Sequence, residues 1–146
     1  MRYPMQEQHA LSIVQKLVQH NHQAYYAGGW VRDHLLNRPS ADIDIATSAS
    51  PEAVIEIFDK TIPVGIAFGV VIVVIDTIQF EVATFRQDLE YTNGRAPNHV
   101  EYTDAEGDAT RRDFTINGMF YDPIKKEVID YVQGKEDLEK QLIRAI

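Results

Sequence analysis

The chain has 146 residues, a formal net charge of −8 and no cysteine. A chain of this length forms one domain of ordinary size with a substantial core, and its 45% hydrophobic and 25% charged residues argue against a disordered chain. The lack of cysteine excludes disulfides, thiolate zinc sites and thiol nucleophiles, and the negative charge argues against a broad basic face for gripping a nucleic-acid backbone.

Neither a signal peptide nor a membrane-spanning segment is visible in the sequence. The first residues carry a single basic side chain, Arg2, with no apolar stretch after it. The longest aliphatic run, Val70 to Ile75, is far shorter than the ~20 residues that cross a bilayer. We therefore expect a cytoplasmic protein that has no contact with a membrane.

The first half of the chain alternates between helical and extended patterns. Apolar residues at helical spacing predict helices over 6–20 and 30–37. Ser50 followed by Pro51 predicts a third helix, capped by Ser50, that ends near Phe58. Strands are predicted over 24–27, 41–47, 69–75 and 78–85.

The second half begins with a tight turn and then becomes less regular. Asp76-Thr77 predicts a hairpin between the last two of these strands. Residues 87–109 are polar and contain several turn-forming residues, which predicts a long loop that is functional or mobile. The remaining elements predicted are a helix capped by Asp108 or Thr110 that runs through Phe120, a strand over 128–132 and a helix from Lys135. Together these elements predict one α/β (α+β) domain over residues 1–146, with a mixed sheet of about four or five strands flanked by helices.

An Asp-x-Asp pair is the first candidate for chemistry. Asp42 and Asp44 lie two residues apart in a predicted strand, so their side chains point to one face, about 6.5–7 Å apart along the strand. Ile43 and Ile45 point to the other face. Two carboxylates on one face can hold Mg²⁺. The alternative is an acidic edge strand that only faces water.

A third carboxylate would complete a site for two metal ions. Two such ions, about 3.5–4 Å apart, clamp the attacking and leaving oxygens of a phosphoryl transfer. Glu81, in the predicted strand over 78–85, is the leading candidate. Asp76 and Asp113 are weaker ones.

Gly28-Gly29 lies between a predicted strand and a predicted helix. Glycines at this position let backbone N–H groups approach an anion, and the positive end of a helix attracts negative charge. Arg32 falls in the first turn of the helix, where its guanidinium can fork onto a phosphate. The alternative is a simple tight turn, but the nearby Asp-x-Asp pair favours a triphosphate cradle next to metal ligands.

Arg111-Arg112-Asp113 adds basic charge further along the chain. If the predicted helix extends over this segment, Asp113 and Asn117 lie on one face of it. Arg112 is a candidate for contacting a nucleotide, with Asn117 beside it. In the alternative reading, Arg112 forms an ion pair with Asp113 or Asp108 at the surface.

Several short motifs occur in a fixed order along the chain. They are Gly-Gly-Trp-Val-Arg-Asp at 28–33, Leu-Leu-Asn-Arg at 35–38, Asp-Ile-Asp-Ile-Ala-Thr at 42–47, Phe-Glu-Val-Ala-Thr-Phe-Arg at 80–86, Arg-Arg-Asp-Phe-Thr-Ile-Asn-Gly at 111–118, and Asp130-Tyr131 through Gly134 with Asp137-Leu138 and Ile143-Arg144. From about Tyr25 to its last residue, the chain resembles the head domain of class II tRNA nucleotidyltransferases, the CCA-adding enzymes, to which bacterial poly(A) polymerase is closely related.

The resemblance implies a polymerase-β-like nucleotidyltransferase fold and a division of roles within the site. Asp42 and Asp44 would hold Mg²⁺, with two ions in the complete site. Gly29 and Arg32 would contact the triphosphate, next to Gly28, and Arg112 would contact the nucleotide. The implied reaction is template-independent transfer of C and A from CTP and ATP to the 3′ end of tRNA, with release of pyrophosphate. Residues 87–109 fall where the family has a flexible loop tied to the switch from C to A addition.

One motif of the family is not present in this sequence. The family selects CTP or ATP with a Glu-Asp-x-x-Arg motif that follows the head. We therefore expect the chain, which ends in the apolar segment 142–146, to be an N-terminal fragment without the neck, body and tail that grip tRNA. Addition of only A, only CC, or a poly(A) tail stays open, as does a nucleotide-binding module without catalysis.

Overall fold

The computed structural model describes residues 4–40, 42–88 and 100–146. The described residues form five α-helices: α1 (Pro4–Gln19), α2 (Gly29–Leu35), α3 (Pro51–Ile57), α4 (Ala105–Thr110) and α5 (Gly134–Glu139). They also form nine strands: β1 (Ala24–Ala27), β2 (Asp44–Thr47), β3 (Thr61–Gly65), β4 (Val70–Ile75), β5 (Ile78–Thr84), β6 (Arg86–Asp88), β7 (Val100–Tyr102), β8 (Phe120–Asp122) and β9 (Glu127–Ile129). Short 3-10 turns cover Ile66–Phe68 and Thr115–Asn117.

Seven of the described strands form one mixed sheet in the order β3–β4–β5–β2–β1–β8–β9, and β6 pairs with β7 separately. In the large sheet β2 and β5 run parallel, with Ile45 opposite Val82. The other neighbours are antiparallel. The parallel register brings Asp44, at the start of β2, beside Glu81 of β5. Ala27 is the antiparallel partner of Asp44, so the end of β1 meets the same point.

Both faces of the sheet are covered, as the alternation of side chains along β1 and β2 shows. Tyr26 and Ile45 belong to a large core that includes buried residues of α1 and α3. Their chain neighbours Ala27 and Ala46 belong to a second cluster with Phe120 and residues of α4. The residues that α1 buries completely are Ala10, Ile13, Val14 and Leu17. The sheet is therefore a rigid middle layer, and the junction of β1, β2 and β5 is fixed from both sides.

The predicted fold class is confirmed, and several elements lie close to their predicted positions. The strand over 24–27 coincides with β1, and the helices over 6–20 and 30–37 correspond to α1 and α2. Ser50 caps α3 by accepting a hydrogen bond from the N–H of Ala53 at 3.1 Å. The hairpin turn at Asp76-Thr77 has φ of 48° and 70°, values typical of a two-residue hairpin loop.

The helix predicted to run through Phe120 is wrong. Asp104, rather than Asp108 or Thr110, caps α4 through the N–H of Gly107 at 2.9 Å, and the helix ends at Thr110. Phe120 lies in β8 opposite Ala27 and is fully buried. Burial of this aromatic side chain on the sheet therefore outweighs its helical spacing from neighbouring apolar residues.

The sheet is larger than the four or five strands predicted, because short strands were missed. β3 contains Pro63 and Gly65, residue types that are uncommon in strands, and β8 lies where the predicted helix was extended too far. The strand predicted over 128–132 is β9, and the helix from Lys135 is α5. Of the predicted loop at 87–109, residues 89–99 lie outside the described residues, and the flanking parts contribute to β6, β7 and α4. In the described part of the chain, none of the helices is both long and apolar enough to cross a membrane.

Candidate functional site

The predicted acidic cluster lies at the junction of β1, β2 and β5. Asp42, Asp44 and Glu81 are exposed and line one open pocket of about 470 Å³. The isoleucines that alternate with the two aspartates are 3% and 1% exposed. Since β2 lies between β5 and β1, the interpretation as an acidic edge strand is wrong. The structure thus brings together the three carboxylates that were the leading candidates.

The electrostatics of the pocket favour a bound cation. Partial desolvation, followed by the carboxylates of Glu81 and Asp42, raises the pKa of Asp44, while the Arg112 guanidinium lowers it. Among residues 4–40, 42–88 and 100–146, no group of three Asp, Glu or His side chains is arranged to hold a metal ion by itself. Oxygen donors of this kind nevertheless fit Mg²⁺, which is usually held by one or two carboxylates together with substrate phosphates.

The two weaker candidates for the third carboxylate lie outside this pocket. Asp76 is in the β4–β5 turn, 77% exposed, with its Oδ2 atom 3.3 Å from His9 Nε2. Asp113 accepts hydrogen bonds from the N–H of Phe114 at 2.7 Å and from Asn117 Nδ2 at 3.2 Å. These bonds, the one from Asn117 first, hold the pKa of Asp113 below its usual value.

The glycine turn lies directly beside the acidic pocket. Gly28 has φ of 69° and ψ of −142°, a conformation that residues with a side chain rarely adopt. A Cβ atom at this position would lie 3.8 Å from Asp44 Oδ2 and 3.8 Å from Arg112 Nη1. The glycine thus keeps the space between an acid and an arginine open.

Arg32 and Asn117, predicted separately, bind each other. Arg32 Nη1 donates to Asn117 Oδ1 at 3.0 Å, and Arg32 Nε donates to Asp33 Oδ1 at 3.1 Å. Asn117 Nδ2 in turn donates to Asp113, although this segment is a 3-10 turn rather than the predicted α-helix. A Cβ atom on Gly29 would lie 3.2 Å from Arg32 Nη2. Arg32 is therefore fixed next to the glycine turn.

Asp108 is the residue whose importance the sequence reasoning missed. It was expected as a helix cap or a surface partner of Arg112, but its side chain is 1% exposed and binds Arg112 at 2.9 Å and Arg111 at 3.5 Å. Arg112 also lies over the ring of Phe120, 5.5 Å from its centroid. The spacing in the sequence could have indicated this contact. Asp108 precedes Arg111 by three residues and Arg112 by four, and side chains at both spacings can meet on a helix.

Comparisons with known proteins agree on one family. A family model described as the poly A polymerase head domain matches residues 24–144. The CCA-adding enzyme of Staphylococcus saprophyticus is 45% identical over 138 residues, which cover 94% of this chain and 34% of that protein. The crystal structure of the Bacillus stearothermophilus CCA-adding enzyme in complex with CTP superposes with a TM-score of 0.83 at 44% identity, over 99% of this chain and 34% of that one. A tRNA nucleotidyltransferase complexed with a primer tRNA and an incoming ATP analog superposes with a TM-score of 0.70 at 28% identity, over 91% of this chain and 38% of that one.

By its fold, the chain is a domain of the type found in nucleotidyltransferases. It belongs to the poly A polymerase head domain family. The CCA-adding nucleotidyltransferases are generally metal-dependent. The chain spans about a third of the length of the curated relatives it matches.

Proposed function

We propose that the chain is the catalytic head of a CCA-adding enzyme. The reaction transfers nucleotides from CTP and ATP to the 3′ end of tRNA and releases pyrophosphate. One observation carries the proposal: three carboxylates line one pocket, and one of them, Asp44, lies beside the glycine turn and Arg112, in a chain 45% identical to a CCA-adding enzyme. The names of the relatives favour CCA addition over addition of a poly(A) tail.

The acidic side of the site would hold Mg²⁺, in a complete site two ions. Asp42 and Asp44 are the proposed ligands, with Glu81 as the third carboxylate. Bound at these oxygens, the metal supplies charge neutralisation at the triphosphate and lowers the pKa of the attacking 3′-hydroxyl. Desolvation first, and then the carboxylates of Glu81 and Asp42, raise the pKa of Asp44. This supports the assignment, because a bound cation would stabilise the charged carboxylates against both effects.

The basic side of the site would hold the triphosphate. Gly28 and Gly29 let phosphate oxygens approach the backbone, and Arg32 and Arg112 supply charged donors. Asn117 supports this by fixing Arg32 Nη1. Donors that are already in place when the substrate binds stabilise developing charge without reorganising in the reaction.

The chain itself has no excess of positive charge with which to bind the backbone of a long RNA. Its net charge of −8 opposes the electrostatic attraction that dominates affinity for a phosphate backbone. We therefore infer that this domain engages the 3′ end of tRNA and little else of it. A nucleotide-binding module without catalysis is disfavoured by the intact pair of Asp42 and Asp44, since a relative without catalysis has no physical need to keep carboxylates that repel one another.

The test is a transfer assay in a longer protein. This chain replaces the head of the Bacillus stearothermophilus enzyme, over which it superposes almost completely, and the chimaera is incubated with tRNA lacking CCA, labelled CTP and ATP, and Mg²⁺. We expect CCA addition that Asp44→Asn abolishes and that Asp76→Asn, the same change in the distant hairpin turn, leaves intact. A folded, tRNA-binding chimaera without transfer activity, or full activity of Asp44→Asn, would contradict the proposal.

A further inference from the structure

Asp108 is a buried acid to which the proposed chemistry assigns no task. It lies in α4 with its side chain 1% exposed, next to the cluster formed by Phe120 and Ala109. Burying an ionised carboxylate is unfavourable unless it is paired and hydrogen-bonded. The partners of Asp108 therefore show what the burial achieves.

The two carboxylate oxygens of Asp108 have different partners. Oδ1 accepts two hydrogen bonds from Arg112, from Nε at 3.2 Å and from Nη2 at 2.9 Å. Oδ2 accepts one from the N–H of Arg86 at 2.9 Å and lies 3.5 Å from Arg111 Nη2. One oxygen thus anchors the carboxylate to the start of β6, and the other holds the Arg112 guanidinium.

This arrangement fixes which nitrogen of Arg112 faces the site. With Nε and Nη2 bound to Asp108 and the guanidinium over the Phe120 ring, the planar group cannot turn freely. Its third nitrogen, Nη1, faces the glycine turn, where a Cβ on Gly28 would lie 3.8 Å from it. In the part of the chain that the structure describes, no hydrogen bond or ion pair occupies Nη1.

We propose that Asp108 is a positioning residue that holds Arg112 with Nη1 directed at the triphosphate, beside Gly28 and Asp44. The inference rests on the proposed role of Arg112 in nucleotide binding. An arginine held in this way keeps its donor in place before the substrate arrives, so less conformational entropy is lost on binding. If Asp108 served only to attach α4 to β6, its loss would reduce stability and leave nucleotide affinity unchanged.

The first experiment measures binding of CTP with Mg²⁺ by calorimetry, well below the unfolding temperature of each variant. We expect Asp108→Asn and Arg112→Ala each to weaken binding by about tenfold to a hundredfold, and the double variant to bind no more weakly than Arg112→Ala. Asp137→Asn is the matched control, because Asp137 is also buried but binds Thr115 and Arg144 rather than Arg112. It should lose stability while binding CTP like the parent. Parent-like affinity of Asp108→Asn, or effects that simply add in the double variant, would overturn the proposal.

A second measurement separates this proposal from the proposed function. In nitrogen-15 NMR spectra, the Arg112 Nε–H proton should exchange slowly in the parent and at least about tenfold faster in Asp108→Asn. The Nε–H proton of Arg32, which is bound to Asp33, should not change. Unchanged exchange at Arg112 would refute positioning by Asp108. If the parent does not bind CTP, the proposed function fails for this chain, and the exchange rates alone decide whether Asp108 positions Arg112.

Should Asp108→Asn fail to fold, Arg112→Lys takes its place. Lysine keeps the charge at position 112 but cannot make the two bonds to Asp108 together with a third at the site. We expect CTP binding weakened to nearly the level of Arg112→Ala. Parent-like affinity would show that charge alone is needed and would overturn the proposal.

Discussion

Replacing Gly28 with alanine should destabilise the domain through the backbone alone. The residue has φ of 69° and ψ of −142°, and holding a residue with a side chain in such a conformation costs about 1–3 kcal/mol. The added Cβ would lie 3.8 Å from its two nearest atoms, Arg112 Nη1 and Asp44 Oδ2, which is ordinary contact distance. The alanine side chain would therefore make no steric clash, and the whole loss of stability comes from the backbone conformation.

The neighbouring glycine offers a matched control. Gly29 begins α2, its φ is not positive, and a Cβ there would lie 3.2 Å from the movable end of Arg32. Gly29→Ala should therefore change the free energy of unfolding by less than about 1 kcal/mol. In urea titrations and thermal melts, Gly28→Ala should lose about 1–3 kcal/mol, which lowers the melting temperature by about 2–12 °C. Equal stability of the two variants would refute the backbone argument.

Three further predictions concern charge, capping and the support of Arg32. Folding raises the pKa of Asp44, so the folded state favours the protonated form of this carboxyl. Its contribution to stability is therefore fully present below the pKa of the unfolded chain, and it is lost as the pH rises through the pKa of the folded chain. In thermal melts without metal from pH 3 to 7, Asp44→Asn should not show this loss of stability and should be more stable than the parent at pH 7. Equal pH profiles of the two proteins would contradict the raised pKa of Asp44. Ser50→Ala should cost about 1 kcal/mol in urea titrations and Ser50→Gly only a few tenths, and similar losses would argue against side-chain capping. Asn117→Ala should weaken CTP binding in calorimetry by freeing Arg32. It should also raise the NMR-measured pKa of Asp113, because it removes the hydrogen bond that lowers this pKa most; no change in either would be inconsistent with the network.

The acidic pair could be recognised from sequence because its signal is local. Alternation of Asp42 and Asp44 with two isoleucines indicates exposed acids opposite buried side chains, and the structure has that pattern at these four residues, although β2 begins only at Asp44. The third carboxylate is different, since Glu81 meets Asp44 only through the parallel pairing of β2 with β5. Spacing along the chain does not determine that register, so the sequence could name Glu81 only as the leading one of three candidates.

The segment around Asp108 shows why the rest was missed. Its apolar residues have helical spacing, yet α4 ends at Thr110 and Phe120 is buried in β8 opposite Ala27. The Asp108 carboxylate binds Arg111 and Arg112 instead of capping the helix. Both outcomes depend on contacts with β1 and β6, which local patterns do not contain.

Calorimetry with CTP and ATP, with and without Mg²⁺, measures whether the carboxylates bind a metal–nucleotide complex. The parent chain is compared with Asp42→Asn, which alters the proposed ligand, and with Asp76→Asn, which alters an exposed acid outside the pocket. We expect Mg²⁺-dependent binding of both nucleotides that Asp42→Asn loses and Asp76→Asn keeps. Binding that does not require Mg²⁺, or that is unchanged in Asp42→Asn, would contradict it.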